Sequence, residues 1–500
     1  MSLWNIDDER EVVPRWRSFK DTVSSGSLYP LTTPPRVDRG ALSAALAEEF
    51  RRSPSVYVAA DYLSALMTLR DFSESFDAVI HYLRQNVSPQ EPLAAFVSRA
   101  ATIAHPDTTA TSEDPPQHRR QSRNLRIAHL RQRLRTEPGN AIARVDLALE
   151  QLIDGNLSDA DRQIRSAVQL APNNRFVLRA ATRFRLSTAD PDQAVRTLSD
   201  SSLTDRDPWL LASLIAAAQI ADRSIPQHRR AREMLSSGNF APRDVSELAS
   251  ELGTLEVHAG RDRRARTFFE QSLTDPNENT IAQAGWAAKA VGMRLDTSLL
   301  QVDRGYEARA RASARVSDWD TATTEGLRWL QDEPFAIEPA VNTSYAAAFG
   351  LEDFQSALKI TEQSLRIHPN DSSLRNNAAY AAANLGRLDL ARDLTRGMVS
   401  FDDPNGFNAF KATRGLIAFR EGNPGQGREL YQEAVEGFGS DQPHLAAMAL
   451  GLWAIEEHRL GTTWAKTITN EAFRASRRAD HPDADLVIQR LLTFSTIRHE

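Results

Sequence analysis

A chain of 500 residues, 41% hydrophobic and 25% charged, with net charge −6 and mean hydropathy −0.45, has the balance of a water-soluble protein and is long enough for several domains or one repeat array. Cysteine is absent, which excludes disulfides, thiolate metal sites, iron–sulfur clusters and cysteine nucleophiles, and a pI of about 6.1 argues against a protein that coats polyanions. No run of about 18 apolar residues occurs, and the N-terminal MSLWNIDDEREV is too acidic for a signal peptide, so a cytoplasmic protein is expected. Only five of the 60 cations are lysine (Lys20, Lys289, Lys359, Lys411, Lys466), an arginine bias that suggests a GC-rich, bacterial genome.

Residues 1–40 begin with a charged stretch bearing Trp4 and Trp16 and continue into SSGSLYPLTTPPRVDRG, whose Pro, Thr, Ser and Gly content argues against a packed element. An extended N-terminal arm is expected, either packed along the rest of the chain or docked onto a partner. Over residues 41–104 apolar residues recur at helical spacing, through Leu42, Ala45, Leu46 and Phe50 and then Val56, Ala60, Leu63, Leu66 and Met67. This predicts a small helical unit, a divergent extension of the longer helical body that begins near residue 123. Residues 105–122, HPDTTATSEDPPQHRRQS, have almost no apolar content and read as a linker.

Beyond the linker the chain repeats. LALEQLIDGNLSDADRQIRSAVQLAP is an amphipathic helix, a Gly/Asn turn, a second amphipathic helix and a terminating proline. The pattern returns in YAAAFGLEDFQSALKITEQSLRIHP and LRNNAAYAAANLGRLDLARDLTRGMV. These segments resemble tetratricopeptide repeats, helix–turn–helix units of about 34 residues whose pattern asks for small residues where helices approach closely and for proline near the end. The residues at the twentieth position of successive units are Ala160, Ala194, Ala231, Ala265, Ala322, Ala357, Ala391, Gly427 and Ala465, at intervals of 34, 37, 34, 57, 35, 34, 36 and 38. Prolines 138, 172, 334 and 369 fall in the matching terminal phase. The 57-residue interval predicts a degenerate helical pair over 286–303. The array is expected over 123–482, closed by a capping helix over 483–500, with Asp483 or Asp485 as its N-cap. The resemblance thus implies an all-α, right-handed superhelical solenoid of tetratricopeptide-like helix pairs.

Catalytic patterns are missing. No GK dipeptide occurs, nor GxSxG or HExxH, and no two of the eleven histidines lie closer than His118 and His129. The glycines of GNPGQG, Gly422 to Gly427, fall at a turn between the helices of a repeat, and Glu456 and Glu457 are adjacent and point apart on a helix. No catalytic residue, metal or cofactor is expected. Charge is more informative: Arg119, Arg120, Arg123, Arg126, Arg131, Arg133 and Arg135 form a run without an acid, beside an apolar stripe of Ile127, Leu130 and Leu134.

For function, the resemblance implies a groove, lined by the first helix of each pair, that holds an extended peptide or a partner's helix. In the repeat phase its lining residues are Arg179, Arg183, Arg304, Glu307, Arg311, Arg315, Asn342, Asn376, Asn377, Tyr380, Asn384 and Arg420. Arginines suit carboxylates and asparagines suit extended backbones, which points to an acidic protein or peptide partner. The family's lysine/asparagine carboxylate clamp is not reproduced, since the lysines are missing. A non-enzymatic scaffold or sensor subunit is the expected function. The alternatives are a nucleic-acid-binding solenoid using the Arg119 to Arg135 helix, or a regulatory subunit of a separately encoded effector enzyme.

Overall fold

The computed structural model describes residues 10–19, 39–69, 71–88, 93–94, 97–98, 100–101, 116–398, 401 and 404–497. Among these there is no strand. Two compact units are formed: one from residues 20–129 with 238–241, the other from residues 1–19, 130–237 and 242–500.

In the smaller unit, helices α1 (Arg39–Arg52), α2 (Val56–Leu69) and α3 (Glu74–Asn86) bury Leu63, Leu66, Phe76, Val79 and Leu83 together, with Phe50 set edge-on to Tyr82. Helix α4 (Pro116–Thr136) begins inside the stretch expected as linker. Polarity did not prevent helix there because the prolines end at position 116, the first helical residue, where proline is compatible with helix geometry.

The larger unit is an array of helix pairs: α5/α6 (Ala141–Ile153, Leu157–Leu170), α7/α8 (Arg175–Ser187, Pro191–Ser199), α9/α10 (Pro208–Ile220, His228–Ser236) and α11/α12 (Pro242–His258, Asp262–Ser272). A lone helix, α13 (Glu278–Ala287), comes next. Regular pairs then resume as α14/α15 (Tyr306–Arg315, Trp319–Asp332), α16/α17 (Ile337–Tyr345, Phe354–Ser364), α18/α19 (Ser372–Asn384, Leu388–Thr395), α20/α21 (Pro404–Arg420, Pro424–Phe438) and α22/α23 (Pro443–Leu460, Ala465–Ala479), before the closing α24 (Pro482–Ile497). Asparagine or aspartate starts many of these helices. Asn140, Asn156, Asn174, Asp190, Asp318, Asp353, Asp371 and Asn423 each accept a hydrogen bond from a first-turn backbone N–H, and each such cap is worth about 1 kcal/mol.

The repeat phase is visible in packing. Ala160, Ala194, Ala231, Ala265, Ala322, Ala357 and Ala391 are completely or almost completely buried at the start of each second helix, where that helix crosses the first. At Gly427 a side chain would collide with Phe419, and at Gly415, on the facing helix, a Cβ would lie 2.8 Å from Tyr431 and 3.1 Å from the Gly427 carbonyl. The repeating turn between paired helices needs a left-handed residue, supplied by Gly155, Gly386 and Gly422 but also by Ala189 and Ser317 at φ 55° and 57°.

Two further details differ from expectation. The irregular interval holds α13 and a five-residue 3-10 turn, Thr297–Gln301, in place of a pair over 286–303. The closing helix is not capped by Asp483 or Asp485: His481 Nδ1 accepts from the Asp483 backbone N–H at 3.2 Å, Asp485 accepts from the Ser476 hydroxyl at 2.7 Å, and Asp483 accepts from the Tyr345 hydroxyl at 3.1 Å. Those longer contacts turn α24 back along the array. Val487 packs on Gly451, and Arg490 donates to the Gly350 carbonyl at 3.0 Å while lying over the Phe349 ring.

Candidate functional site

The first helices of the array carry polar side chains toward a common inner face, and in the structure that face is occupied by the chain's own residues 10–19. Residues 10–18 have no regular structure, and Arg10, Val12, Pro14 and Trp16 alternate into the array, the period of an extended strand. The backbone is held by side chains. Asn279 donates to the Val13 carbonyl at 2.8 Å, Gln283 donates to the Arg10 carbonyl, and Glu251 accepts from the Val12 N–H at 3.2 Å. Both amides lie on α13, the helix of the irregular interval.

The side chains of the segment find specific seats. Arg10 forks onto Glu307, with both N···O distances 2.8 Å, and donates to Asn279 at 2.8 Å. Arg15 bridges Glu307 and Glu333. Trp16, 1% exposed, lies between Phe335, ring centroids 5.4 Å apart, and Phe184, edge-on at 6.3 Å. Arg17 spans Asp332 at 2.9 Å and Glu278 at 2.7 Å. Phe19 sets its ring edge-on to Phe176 and donates its N–H to Asp146 at 2.7 Å.

Burial disfavours every one of these charges, and pairing decides which survive. For Glu307 burial is outweighed by Arg10 and Arg15, and its carboxyl is held well below the usual range. Glu278 is lowered likewise by Arg17 against its burial. Arg15 and Arg17 are driven above the ordinary arginine value, burial being overcome by Glu333 and Glu307 for the first and by Glu278 and Asp332 for the second. Glu251 is the exception: burial, and then the facing Glu11 carboxylate, push it well above the usual range. Around the seat, Glu251, Glu278, Glu307, Asp332 and Glu333 face three resident arginines, Arg183, Arg304 and Arg311. Without the segment the face carries an acidic surplus.

The residues read from the repeat phase separate into two groups. Arg179, Arg183, Arg304, Glu307 and Arg311 surround the segment, but the arginines do not present free charge to a partner. Arg179 pairs with Glu247 at 2.8 Å over the Trp209 ring, Arg183 lies over Phe335 beside Glu333, Arg304 pairs with Asp332 at 3.1 Å and Arg311 pairs with Glu307 at 3.0 Å. Arg315 is exposed. The second group lies farther along. Asn342 and Asn376 are buried, Asn377 donates to Ser344 at 3.1 Å, and Tyr380, its hydroxyl pushed up to about 12 by burial, packs edge-on against Phe354. Asn384 accepts from Arg420, which forks onto Glu456 at 2.7 and 2.9 Å. An open groove of arginines awaiting an acidic ligand is thus corrected: each of these arginines that pairs does so within the chain, because burial demands a local counter-charge. The seat residues that the repeat phase did not single out are Asn279 and Gln283 on α13, in the irregular interval, Glu333 and Phe335 just beyond the end of α15, and Glu251 within α11. A run of alternating Arg10, Val12, Pro14 and Trp16 was the sequence signal that an extended strand needed a seat.

Elsewhere, Arg126, Arg131, Arg133 and Arg135 of α4 are exposed and Arg133 pairs with Glu137, whereas the side chains of Arg119 and Arg120 lie outside the described residues, as do Trp4 and residues 20–38. Arg123 is half-buried. Among the described residues no group of three or more His, Asp or Glu is arranged to hold a metal ion, and no helix is long and apolar enough to cross a membrane.

No family model matches the chain, and no curated protein matches it. Among solved structures it is similar to the APC/C hetero-tetramer Cut9–Hcn1, at 13% identity over 91% of this chain and 87% of that one with a TM-score of 0.40. It is also similar to yeast Tom70, at 14% identity over 92% and 96% with a TM-score of 0.28. Both likenesses are too weak to bear on function. The fold, an all-α array of tetratricopeptide-like helix pairs, rests on the repeat phase and on the packing of its helix crossings.

Proposed function

We propose that this chain is a non-enzymatic interaction scaffold whose inner face binds an extended segment of another protein. The observation that supports this most directly is the handling of residues 10–19: an extended segment is gripped through its main chain at residues 10–13 by Asn279, Gln283 and Glu251 and read through the side chains of Arg10, Arg15, Trp16 and Arg17. That is how a peptide-recognition surface works, with backbone bonds giving affinity and side-chain pockets giving specificity. The buried acids of the array support the same reading, since Glu456 and Glu457 are bound to Arg420 and Arg428 as structural ion pairs.

The test is affinity capture from the native host with the wild-type chain and with a Glu307→Lys/Glu333→Lys variant, followed by binding measurements on the purified partner. A partner retained by wild type and lost by the variant, with the helical signal of both unchanged, is the expected result. The same partner bound equally by both would remove the inner face from the interface. The exposed arginines of α4 support a second reading, nucleic-acid contact; it requires binding that falls steeply with salt and with Arg126, Arg131 and Arg133 changed to glutamate.

A further inference from the structure

Residues 10–19 are held as a ligand is held. Every contact of the seat reaches an exposed-chain feature of the strand, its carbonyls, its N–H groups, its guanidinium forks and one indole, and each would be the same if the strand belonged to another molecule. The resident strand is also an imperfect occupant. Glu11 faces Glu251, two carboxyl groups brought together away from solvent, and the indole N–H of the buried Trp16 has no hydrogen-bond partner. An unmet buried polar group weakens a complex. A strand with glutamine in place of Glu11 would remove the like charge facing Glu251 and still offer a partner to His258 Nε2, which lies 3.1 Å from the Glu11 carboxylate.

We propose that the seat is a recognition site for an extended segment of a partner protein bearing arginine, four intervening residues, then Arg-Trp-Arg, and that residues 10–19 are its tethered competitor. This rests on the scaffold reading and gives it both a ligand chemistry and a regulation. Charge sets the ligand class, because Glu307 and Glu333 are buried and require cations wherever those come from. Tryptophan sets the anchor, because the space between Phe184 and Phe335 accepts a flat ring of that size. Residues 10–19 belong to the same chain as the seat and therefore compete intramolecularly. A partner therefore binds with an apparent affinity reduced by the fraction of time the seat is open.

The experiment uses the full-length chain with a specific protease site inserted after Ser25, cleaved after folding, and a fluorescein-labelled peptide of residues 8–20 as probe. After cleavage the probe is expected to enter saturably by anisotropy as the native fragment leaves, while the uncleaved chain binds it at least about tenfold more weakly. A Trp16→Ala probe is expected to bind at least about 100-fold more weakly, and a Glu11→Gln probe more tightly than the native sequence. Full-length chain carrying Arg15→Glu and Trp16→Ala provides the second arm: with its helical signal intact it should bind the wild-type probe without cleavage. A native fragment that stays through gel filtration and admits no probe, or an emptied seat that binds none, would show residues 10–19 to be a fixed strut. Concentration-dependent dimers of the wild-type chain, abolished by Trp16→Ala, would overturn the hetero-partner form in favour of strand exchange between copies. If the probe fails but a purified partner still binds the array, the inference falls and the scaffold reading survives on another surface.

Discussion

Replacing Trp16 by alanine isolates the largest apolar contribution to docking of the N-terminal strand. The side chain is 1% exposed. Burying about 200 Å² of an indole at about 25 cal/mol per Å² is worth roughly 5 kcal/mol, and tryptophan-to-alanine changes at well-packed sites cost about 3–5 kcal/mol. Its partners Phe335 and Phe184 are also covered by the guanidinium groups of Arg183 and Arg185, so the loss is expected to fall mainly on docking. A cost of about 3–5 kcal/mol raises the undocked population by roughly two to three and a half orders of magnitude. Trypsin reports that population directly, because Arg15 and Arg17 are cleavable only when their guanidinium groups leave Glu307, Glu333, Glu278 and Asp332. Where opening and closing outpace cleavage, the rate follows the open fraction. Cleavage after Arg15 and Arg17 should therefore accelerate by about two orders of magnitude or more, while the array beyond residue 130 resists as in the wild type. Acceleration of less than about tenfold would refute the view that Trp16 anchors the strand.

Docking should also depend on pH with a defined shape. Glu251 is raised in the docked state, so docking takes up a proton there and weakens as pH climbs from the ordinary carboxylate range through the raised value; Glu307 and Glu278 are lowered, so docking is lost as pH falls below that range. Proteolytic protection of Arg15 should peak in mild acid, and Glu251→Gln should flatten the alkaline side; a profile rising steadily to pH 9 would contradict the Glu11 and Glu251 contact. The closing helix should respond differently. His444 is stacked on His481 and held down to about 4 by burial and by that neighbour, so its stabilising neutral form is lost as pH drops from about 6.5 toward 4, which hydrogen exchange in α24 would register as faster exchange. At the repeat crossings, Ala391→Leu should lower the array's urea midpoint by an overpacking cost of about 1–3 kcal/mol. Asp389→Leu, two residues away with its side chain 97% exposed, should change stability by less than about 0.5 kcal/mol; equal effects would place the helix crossing elsewhere.

The helix pairs were legible because close crossings impose a local, repeated rule on residue size. Ala160, Ala357 and Ala391 occupy one phase, and the structure buries all three completely. The chemistry of the inner face was half legible. Arg179, Arg304, Arg311 and Arg420 do hold carboxylates, as their residue type suggested, but those of Glu247, Asp332, Glu307 and Glu456. A repeat phase says which positions face inward and nothing about which of them neutralise one another, since that depends on side chains from different helices of the array. The seat itself was least legible. Asn279 and Gln283 sit where the repeat breaks down, so a scan in phase passes over them, and loss of the regular pair is what leaves α13 without a second helix after it. The strand they hold has no helical period, and its alternation from Arg10 to Trp16 gains meaning only against an acidic surface formed by residues more than 230 positions away.

The same electrostatics bear on whether the strand ever leaves. With the strand seated, Arg10, Arg15 and Arg17 neutralise carboxylates that are buried on the array side. With it gone, Glu307 and Glu333 keep only resident arginines, and the surplus charge must be hydrated or protonated. An empty seat is thus a high-energy state at neutral pH, reached rarely and left quickly. Departure is favoured only when another cation arrives, so displacement should proceed as a handover in which the incoming arginines begin to engage the outer acids, Glu278 and Asp332, before Trp16 is released. These two are the least buried of the paired carboxylates in the seat, 14% and 11% exposed against 5% and 0% for Glu307 and Glu333. Arg17 is therefore the natural first point of exchange and Arg10, forked onto Glu307 and hydrogen-bonded to Asn279, the last. An array built this way discriminates by cation placement before it tests the aromatic anchor, which gives the tethered strand its selectivity against segments that offer tryptophan alone.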